Sequence, residues 1–468
     1  MSRFSLIYIG IFSLIISILS FFNIIYSNYF NLYLNIDSYI YSLIFSLIFG
    51  LIFLTKKKKE IKVSIYEKII TVIFGYFILP IFISIPYYFS IYNITFINAY
   101  FEAVSGFTST GFSIFDNIKH LDESIILWRS SSQWIGGLYF LFSIILLIDI
   151  FDENLKKSLT NFLSFNTSEI LKQSTKILIL YITLTFGIFL ILNISNIRSF
   201  NSFNLAMTII SSGGFLPTNN LENILNTQTK QIIFSFTMLT SFFSLFLSYN
   251  LLTIKKKNIS FFQEDSYLVI YLCFLLVLFF VFFNFEHNFS KIFLSLCSSV
   301  SNIGISLSGS YQKISFLFLI ITIIGGSCFS TSSGIRLVKL YSLFKFSINE
   351  LLSHAKPLNV FINKLEFSDS IFETKDINKY FISVLIFILS LLILSSFLTI
   401  SGIDIERSFK LSILTLMNTV NSSMHGLQEF NFDELKHFTK YLLIVFMIIG
   451  RVELLTILII TKKFLFKN

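Results

Sequence analysis

The chain has 468 residues, of which 54% are hydrophobic and 13% charged, and its mean hydropathy is +0.78. Apolar runs of about 20 residues recur along its whole length, more than one water-soluble core can hide, so a soluble globule, a disordered chain and a disulfide-stapled secreted scaffold are excluded. The formal net charge of +9 is carried largely by cations clustered between apolar runs, which is the positive-inside pattern of a polytopic membrane protein rather than the footprint of a nucleic-acid binder.

In chain order, the run from Phe4 to Ile25 is longer than a signal-peptide core and lacks a small-x-small cleavage site, so it reads as a retained first helix. Spans are predicted over 4–26, 38–54, 69–89, 125–150, 176–195, 230–254, 266–285, 314–346, 380–400 and 437–461. Four segments, 97–107, 202–210, 291–300 and 407–420, are too short to cross and read as re-entrant helices. Each is followed by a small polar strip: Thr108-Ser109-Thr110-Gly111, Ser211-Ser212-Gly213-Gly214, Ser301-Asn302-Ile303-Gly304 and Asn421-Ser422-Ser423-Met424-His425-Gly426. The recurring unit of span, dipping helix, strip and span predicts an all-α polytopic membrane protein. It has two N-terminal transmembrane helices (1–60) and four membrane-pore-membrane repeats around one pore (61–155, 156–258, 259–350 and 351–468). Lys56 to Lys59, Lys255 to Lys257, the cluster of Arg336, Lys339 and Lys345, and Lys462, Lys463 and Lys467 set the cytoplasmic side. Both termini and the long connections 151–175 and 347–379 then face the cytoplasm. Those connections are either docking surfaces or plain amphipathic surface helices. Cys273, Cys297 and Cys328 lie among apolar or small residues and read as reduced thiols.

Irregular backbone at membrane depth leaves carbonyls unpaired, which hydrocarbon tolerates only where the segment is buried in protein or lines water. Four strips around one axis would line a pore. Main-chain oxygens of a tight turn can replace the hydration shell of a monovalent cation, helped by the dipoles of the dipping helices. Gly111, Gly213 and Gly304 each follow hydroxyl, amide or small residues, and glycine permits the backbone angles such a turn needs. No strip carries a ring of carboxylates, which points to potassium or sodium rather than a divalent ion or an anion. The five histidines are scattered, and neither metal-ligand spacing nor a nucleotide-binding glycine loop occurs. Neither an enzyme nor a resident cofactor is expected. Arg451 sits about 21 Å along the last predicted span from His437, so it should face water or a partner rather than lipid. The run from Gly325 to Gly334 breaks the third unit's second helix. Gly325, Gly326, Ser333 and Gly334 are therefore gate candidates, or the run is a static kink.

The segment Phe101 to Gly111, followed by Trp128-Arg129-Ser130 and Gln133-Trp134-Ile135-Gly136-Gly137, resembles the first pore unit of TrkH-type subunits of the Trk/Ktr/HKT potassium transporter superfamily. Thr208 to Phe215 is similar to the second filter, Gly325 to Arg336 to the gate-loop region, and Gly450 to Glu453 with Thr456 to the last helix. The two extra leading helices suit the Trk branch. The resemblance implies potassium uptake across the cytoplasmic membrane through a gated, channel-like pore. Its selectivity filter would comprise Thr108, Ser109, Thr110 and Gly111; Ser211, Ser212 and Gly213; Ser301, Asn302, Ile303 and Gly304; and Asn421, Ser422, Ser423 and Met424. It also implies a pore-lining Arg451 that helps close the path, a homodimer in lipid, and a separate cytosolic nucleotide-binding ring of the TrkA type. In the fourth unit Met424 stands at the filter glycine's place and His425 follows, which leaves a poorly selective sodium/potassium pathway as an alternative. A protonated His425 at the outer mouth would make uptake acid-sensitive; hydrogen-bonded at the rim, it would have no such role. A proton- or sodium-coupled carrier is the other alternative, with Glu102 as its candidate coupling acid.

Overall fold

Apolar runs with few interior breakers form helices wherever the chain is long enough to satisfy its own amides. The computed structural model describes residues 3–54, 64–151, 170–245, 259–282, 289–307, 314–355, 374–427, 430–452, 456 and 459. The helices are α1 (Arg3–Tyr29), α2 (Ile36–Leu54), α3 (Ile65–Tyr88), α4 (Phe96–Phe107), α5 (Glu123–Phe151), α6 (Ile170–Ile194), α7 (Ser199–Ile210) and α8 (Gln228–Met238). They continue with α9 (Ile259–Phe282), α10 (Phe289–Val300), α11 (Ser315–Ile323), α12 (Leu337–Ala355), α13 (Thr374–Ile400), α14 (Ile405–Leu416) and α15 (His437–Val452). Among the described residues, 7 helices are long and apolar enough to cross a membrane. The only strands among them are a parallel pair of two residues each, β1 (Ile324–Gly325) and β2 (Ile335–Arg336).

Local chemistry sets the boundaries. Ser64 and Glu67 form a capping box at the start of α3, and the Thr95 hydroxyl accepts from the Asn98 amide to open α4. Just past the ends of α1, α6 and α13, the left-handed residues Asn31, Asn196 and Gly402 stop the helix. Inside α3, Pro86 cannot donate to the Phe82 carbonyl, and the Ser42 hydroxyl of α2 donates to it instead at 3.0 Å. The missing rung thereby becomes a tie between helices.

The elements close a ring. α5 packs on α7, α8 on α10, α11 on α14, and α15 returns to α4, while α1 and α2 pack together outside it against α3. Two further approaches, of α5 to α4 and of α15 to α14, depend on glycine. A Cβ on Gly136 of α5 would lie 2.0 Å from the Phe107 carbonyl oxygen, and one on Gly450 of α15 would lie 2.3 Å from that of Leu416.

Two predicted spans are not single helices. The span at 230–254 is helical only to Met238, tightens into a 3₁₀ turn over Leu239–Ser241, and passes outside the described residues after 245. The span at 314–346 breaks between Ile323 and Leu337. The two breaks satisfy each other: Ser327 N donates to Phe242 O at 3.0 Å, Ser332 N to Ser241 O at 3.2 Å, and Leu245 N to Phe329 O at 3.1 Å. Backbone groups taken from two helical ladders are paired across the gap, as burial requires. The cation clusters at 56–59, 255–257 and 462–467, and most of the connections 151–175 and 347–379, lie outside the described residues.

Candidate functional site

The helices α4, α7, α10 and α14 are each 12 residues long. Two residues past each helix the backbone steps into the left-handed region, at Ser109 (φ 57°), Ser212 (56°), Asn302 (59°) and Asn418 (48°). The next amide reaches back into the helix: Thr110 N to Ser105 O (2.9 Å), Gly213 N to Thr208 O (2.8 Å), Ile303 N to Ser298 O (3.0 Å) and Thr419 N to Leu414 O (3.0 Å). This Schellman-type ending turns the chain sharply and frees the following residues from the helical ladder. The residue after it is Gly111, Gly214, Gly304 or Val420.

These four residues meet. A Cβ on Gly111 would lie 3.0 Å from Gly214 Cα and 3.0 Å from Val420 Cβ, and one on Gly214 would lie 2.4 Å from Val420 Cβ and 3.1 Å from the Ile303 carbonyl oxygen. A Cβ on Gly304 would lie 2.6 Å from both Thr419 Cγ2 and Val420 O. Gly111 and Gly304 have φ near +80°, which only glycine adopts without strain. Gly214 and Val420 are outside that region.

The left-handed residues also stitch the turns together. The Ser212 hydroxyl donates to the Ser301 carbonyl, Asn302 Nδ2 to Thr419 Oγ1 at 3.3 Å, and Asn418 Nδ2 to Thr110 Oγ1 at 3.0 Å. The second turn is thus tied to the third, the third to the fourth and the fourth to the first. At the remaining junction Arg451 Nη2 reaches Ser109 Oγ at 3.5 Å and Ser211 O at 3.4 Å. Its Nη1 donates to Ser333 Oγ at 2.6 Å, and its guanidinium carbon lies 4.0 Å from the Phe140 ring centroid. Arg451 is 1% exposed, so the charge is met by a ring face, hydroxyls and a carbonyl. Glu453, the acid nearest to it along the chain, lies outside the described residues.

The fourth strip is corrected. Asn421 to Met424 follows the turn rather than forming it: Ser423–His425 is a 3₁₀ helix, and Ser423 meets Ser306 at 2.8 Å. The segment predicted to dip as far as 420 ends its helix at Leu416, so the equivalent turn is Met417 to Val420, and the glycine's place is held by Val420, not Met424. In the second unit the strip's last residue, Gly214, and not Gly213 holds the equivalent place. The histidine expected at the outer rim is buried, with 0% of its surface exposed.

Glu102 and Arg129 form an ion pair at 2.8 Å with side chains 0% and 1% exposed. The other carboxylate oxygen accepts from Ile114 N at 2.9 Å, Ser113 Oγ donates to the first at 3.2 Å, and the guanidinium carbon lies 4.1 Å from the Phe215 ring centroid. This pair braces the segment leaving the first turn. In the loop that Arg451 reaches through Ser333, Gly325 and Gly334 are packed backbone to backbone, with 2.1 Å between a Cβ on Gly325 and the Ser333 oxygen, and Gly326 N donates to Ser332 Oγ at 3.0 Å. The loop is further held by Arg336, whose Nη1 donates to Ser327 O, Ser330 Oγ and Ser332 O, and by Glu264, which accepts from Cys328 N at 2.9 Å. The sequence alone counts Arg336 with the cytoplasmic cations and as the last residue of the gate-loop resemblance, without a partner for it, and gives no prominence to Glu264, Asn418 or Val420. A fixed offset of four residues from each helix end is the signal that finds Val420. Among the described residues no cluster of three metal-ligating side chains occurs.

No family model matches the chain. It is 26% identical over 328 residues to an uncharacterized cation transporter of Methanocaldococcus jannaschii, an alignment spanning 68% of this chain and 65% of that protein. It is 23% identical over 389 residues to the Trk system potassium uptake protein TrkH of Escherichia coli (79% of each) and 23% identical over 436 residues to TrkG of the same species (88% of each). The crystal structure of the potassium transporter TrkH from Vibrio parahaemolyticus superposes with a TM-score of 0.82 over 98% of both chains at 18% identity, so the two share a fold.

Proposed function

We propose that this chain, which in sequence and in fold is of the TrkH type, carries potassium inward across the cytoplasmic membrane through a gated path lined by the four converging turns. The observation that supports this most is the convergence itself: helix ends from four distant parts of the chain place Gly111 against Gly214, and Val420 against Gly111, Gly214 and Gly304. An alkali ion stripped of water needs several uncharged oxygens at once, and four turns freed from helical pairing can supply them. The filter on this reading is Thr108 to Gly111, Ser211 to Gly214, Ser301 to Gly304 and Met417 to Val420. The membrane potential, worth about 2.3 kcal/mol per charge per 100 mV, supplies the driving force without a chemical reaction.

Arg451 and the loop it holds through Ser333 form the closing element. A fixed positive charge beneath the turns opposes a cation, and release of the loop would let the arginine move aside. A coupled carrier needs an acid free to exchange its ion or proton. Glu102, its candidate, is instead committed to Arg129, Ile114 and Ser113, which favours the channel-like reading. The remainder of the proposal is a homodimer in lipid, with both termini and a TrkA-type ring on the cytoplasmic side. Rubidium flux into vesicles holding the purified chain, competed by sodium or potassium, tests the reading. Currents that reverse at the potassium equilibrium potential are expected; no flux from correctly inserted protein would refute it.

A further inference from the structure

The ring order follows from the packing of α5 on α7, α8 on α10, α11 on α14 and α15 on α4. The fourth turn therefore stands diagonally across from the second. Neighbouring turns are expected to touch, whereas diagonal turns around an open path should not. Yet the Val420 Cβ lies 2.4 Å from where a Gly214 Cβ would be, and 3.0 Å from the same position on Gly111. Its side chain reaches across the ring, into space that Gly111 and Gly214 leave empty. Its backbone is outside the left-handed region, so nothing in the fourth turn's geometry demands glycine there, and valine fits without strain. Valine is also branched at Cβ and has few χ1 alternatives, so it cannot swing aside as a longer, unbranched side chain could.

We propose that the Val420 isopropyl group is a steric stop across the ring of turns, so that each passing ion must displace it and it limits the rate of transport. This rests on the conduction proposed above, and it moves the peculiarity of the fourth turn from Met424 and His425 to Val420. Met424, buried against Ser299 with its sulfur 3.6 Å from that hydroxyl, then has no part in limiting flux.

The experiment is rubidium flux into vesicles containing the full chain with Val420→Ala, Val420→Gly, Val420→Cys or Met424→Leu. Alanine keeps Cβ and trims the two methyl groups; glycine clears the space. Flux rising from valine through alanine to glycine, by about tenfold overall (a barrier of about 1.4 kcal/mol), supports the stop. So does loss of Val420→Cys flux on treatment from outside with a cationic methanethiosulfonate, to which the parent is insensitive. If the parent conducts while alanine and glycine match it and the cysteine variant ignores the reagent, the stop is overturned and the conduction reading stands. A Met424→Leu effect larger than that of Val420→Ala also overturns it. If neither the parent nor any inserted variant carries rubidium, the conduction reading fails and the stop fails with it.

Discussion

At Arg451 a full charge is held out of water with hydroxyls, a carbonyl and the Phe140 ring as its described company. At about 4 Å and an effective dielectric near 20, a unit charge opposes a second one by about 4 kcal/mol. Removing it should therefore speed passage. Arg451→Ala is expected to raise basal rubidium flux at least about tenfold at equal expression, and unchanged flux would remove Arg451 from the closing element. His425, in the segment between α14 and α15, behaves differently from the rim histidine expected of it. Burial pushes its imidazole down to about 3, so it stays neutral across the working range. Flux should then be flat between about pH 8 and 5. The unfolded chain, with an ordinary histidine near 6.5, binds this proton more readily than the folded one. Stability should thus fall as pH drops through about 6.5 toward 3, and His425→Gln should lessen that acid loss in thermal melts.

The short helices are largely legible in the sequence, because a 12-residue apolar segment cannot cross a bilayer and needs polar turn chemistry to end it. In the first three, glycine marks the turn. In the fourth, Asn418 supplies the left-handed step and valine follows, so the visible glycine at 426 draws the expected turn several residues too far. The broken helices are legible in part: the glycine run announces the gap before Leu337, but its partner around Ser241 carries no breaker. Pairing across space decides it. The Glu102–Arg129 brace is written in the sequence as two residues of one motif, though their separation by 27 positions hides their contact. Breaking such a buried pair from one side strands a charge, costing about 3–5 kcal/mol, whereas neutralising both sides does not. Arg129→Gln should lower the melting temperature of the detergent-solubilised chain more than the double variant Glu102→Gln/Arg129→Gln. Equal losses would mean the ion pair is not what holds the segment after the first turn.

Over the whole molecule, closure depends on joining the last unit to the first. Beyond the packing of α15 on α4, Lys440 Nζ donates to Asn98 Oδ1 at 2.7 Å and to Asp433 O at 2.7 Å, and Asn98 Nδ2 donates to Asp433 Oδ1. Residues 342 positions apart are clasped at the ring's seam. Lys440→Met should loosen that seam by about 1–3 kcal/mol, read as a lower midpoint of thermal unfolding; a parent-like melt would show that helix packing alone closes the ring. Composition and hydropathy reveal the helical membrane fold, since apolar runs of about 20 residues fit a spanning helix, which pairs its own backbone groups, and are about twice the length of a barrel strand. The seam is not legible because its three polar residues sit in different predicted segments with no common motif.

The backbone angles at the centre alternate: Gly111 and Gly304 are left-handed, Gly214 and Val420 are not. In the handedness of its backbone such an aperture repeats after a half turn but not after a quarter turn, so it has two unlike diameters. Tolerance to substitution should therefore sort by opposite members and not by neighbours. Gly111 and Gly304 refuse any side chain for reasons of both angle and space, whereas Gly214 refuses one for space alone and should accept alanine only once Val420 is replaced by glycine, because the Val420 Cβ itself stands in the way.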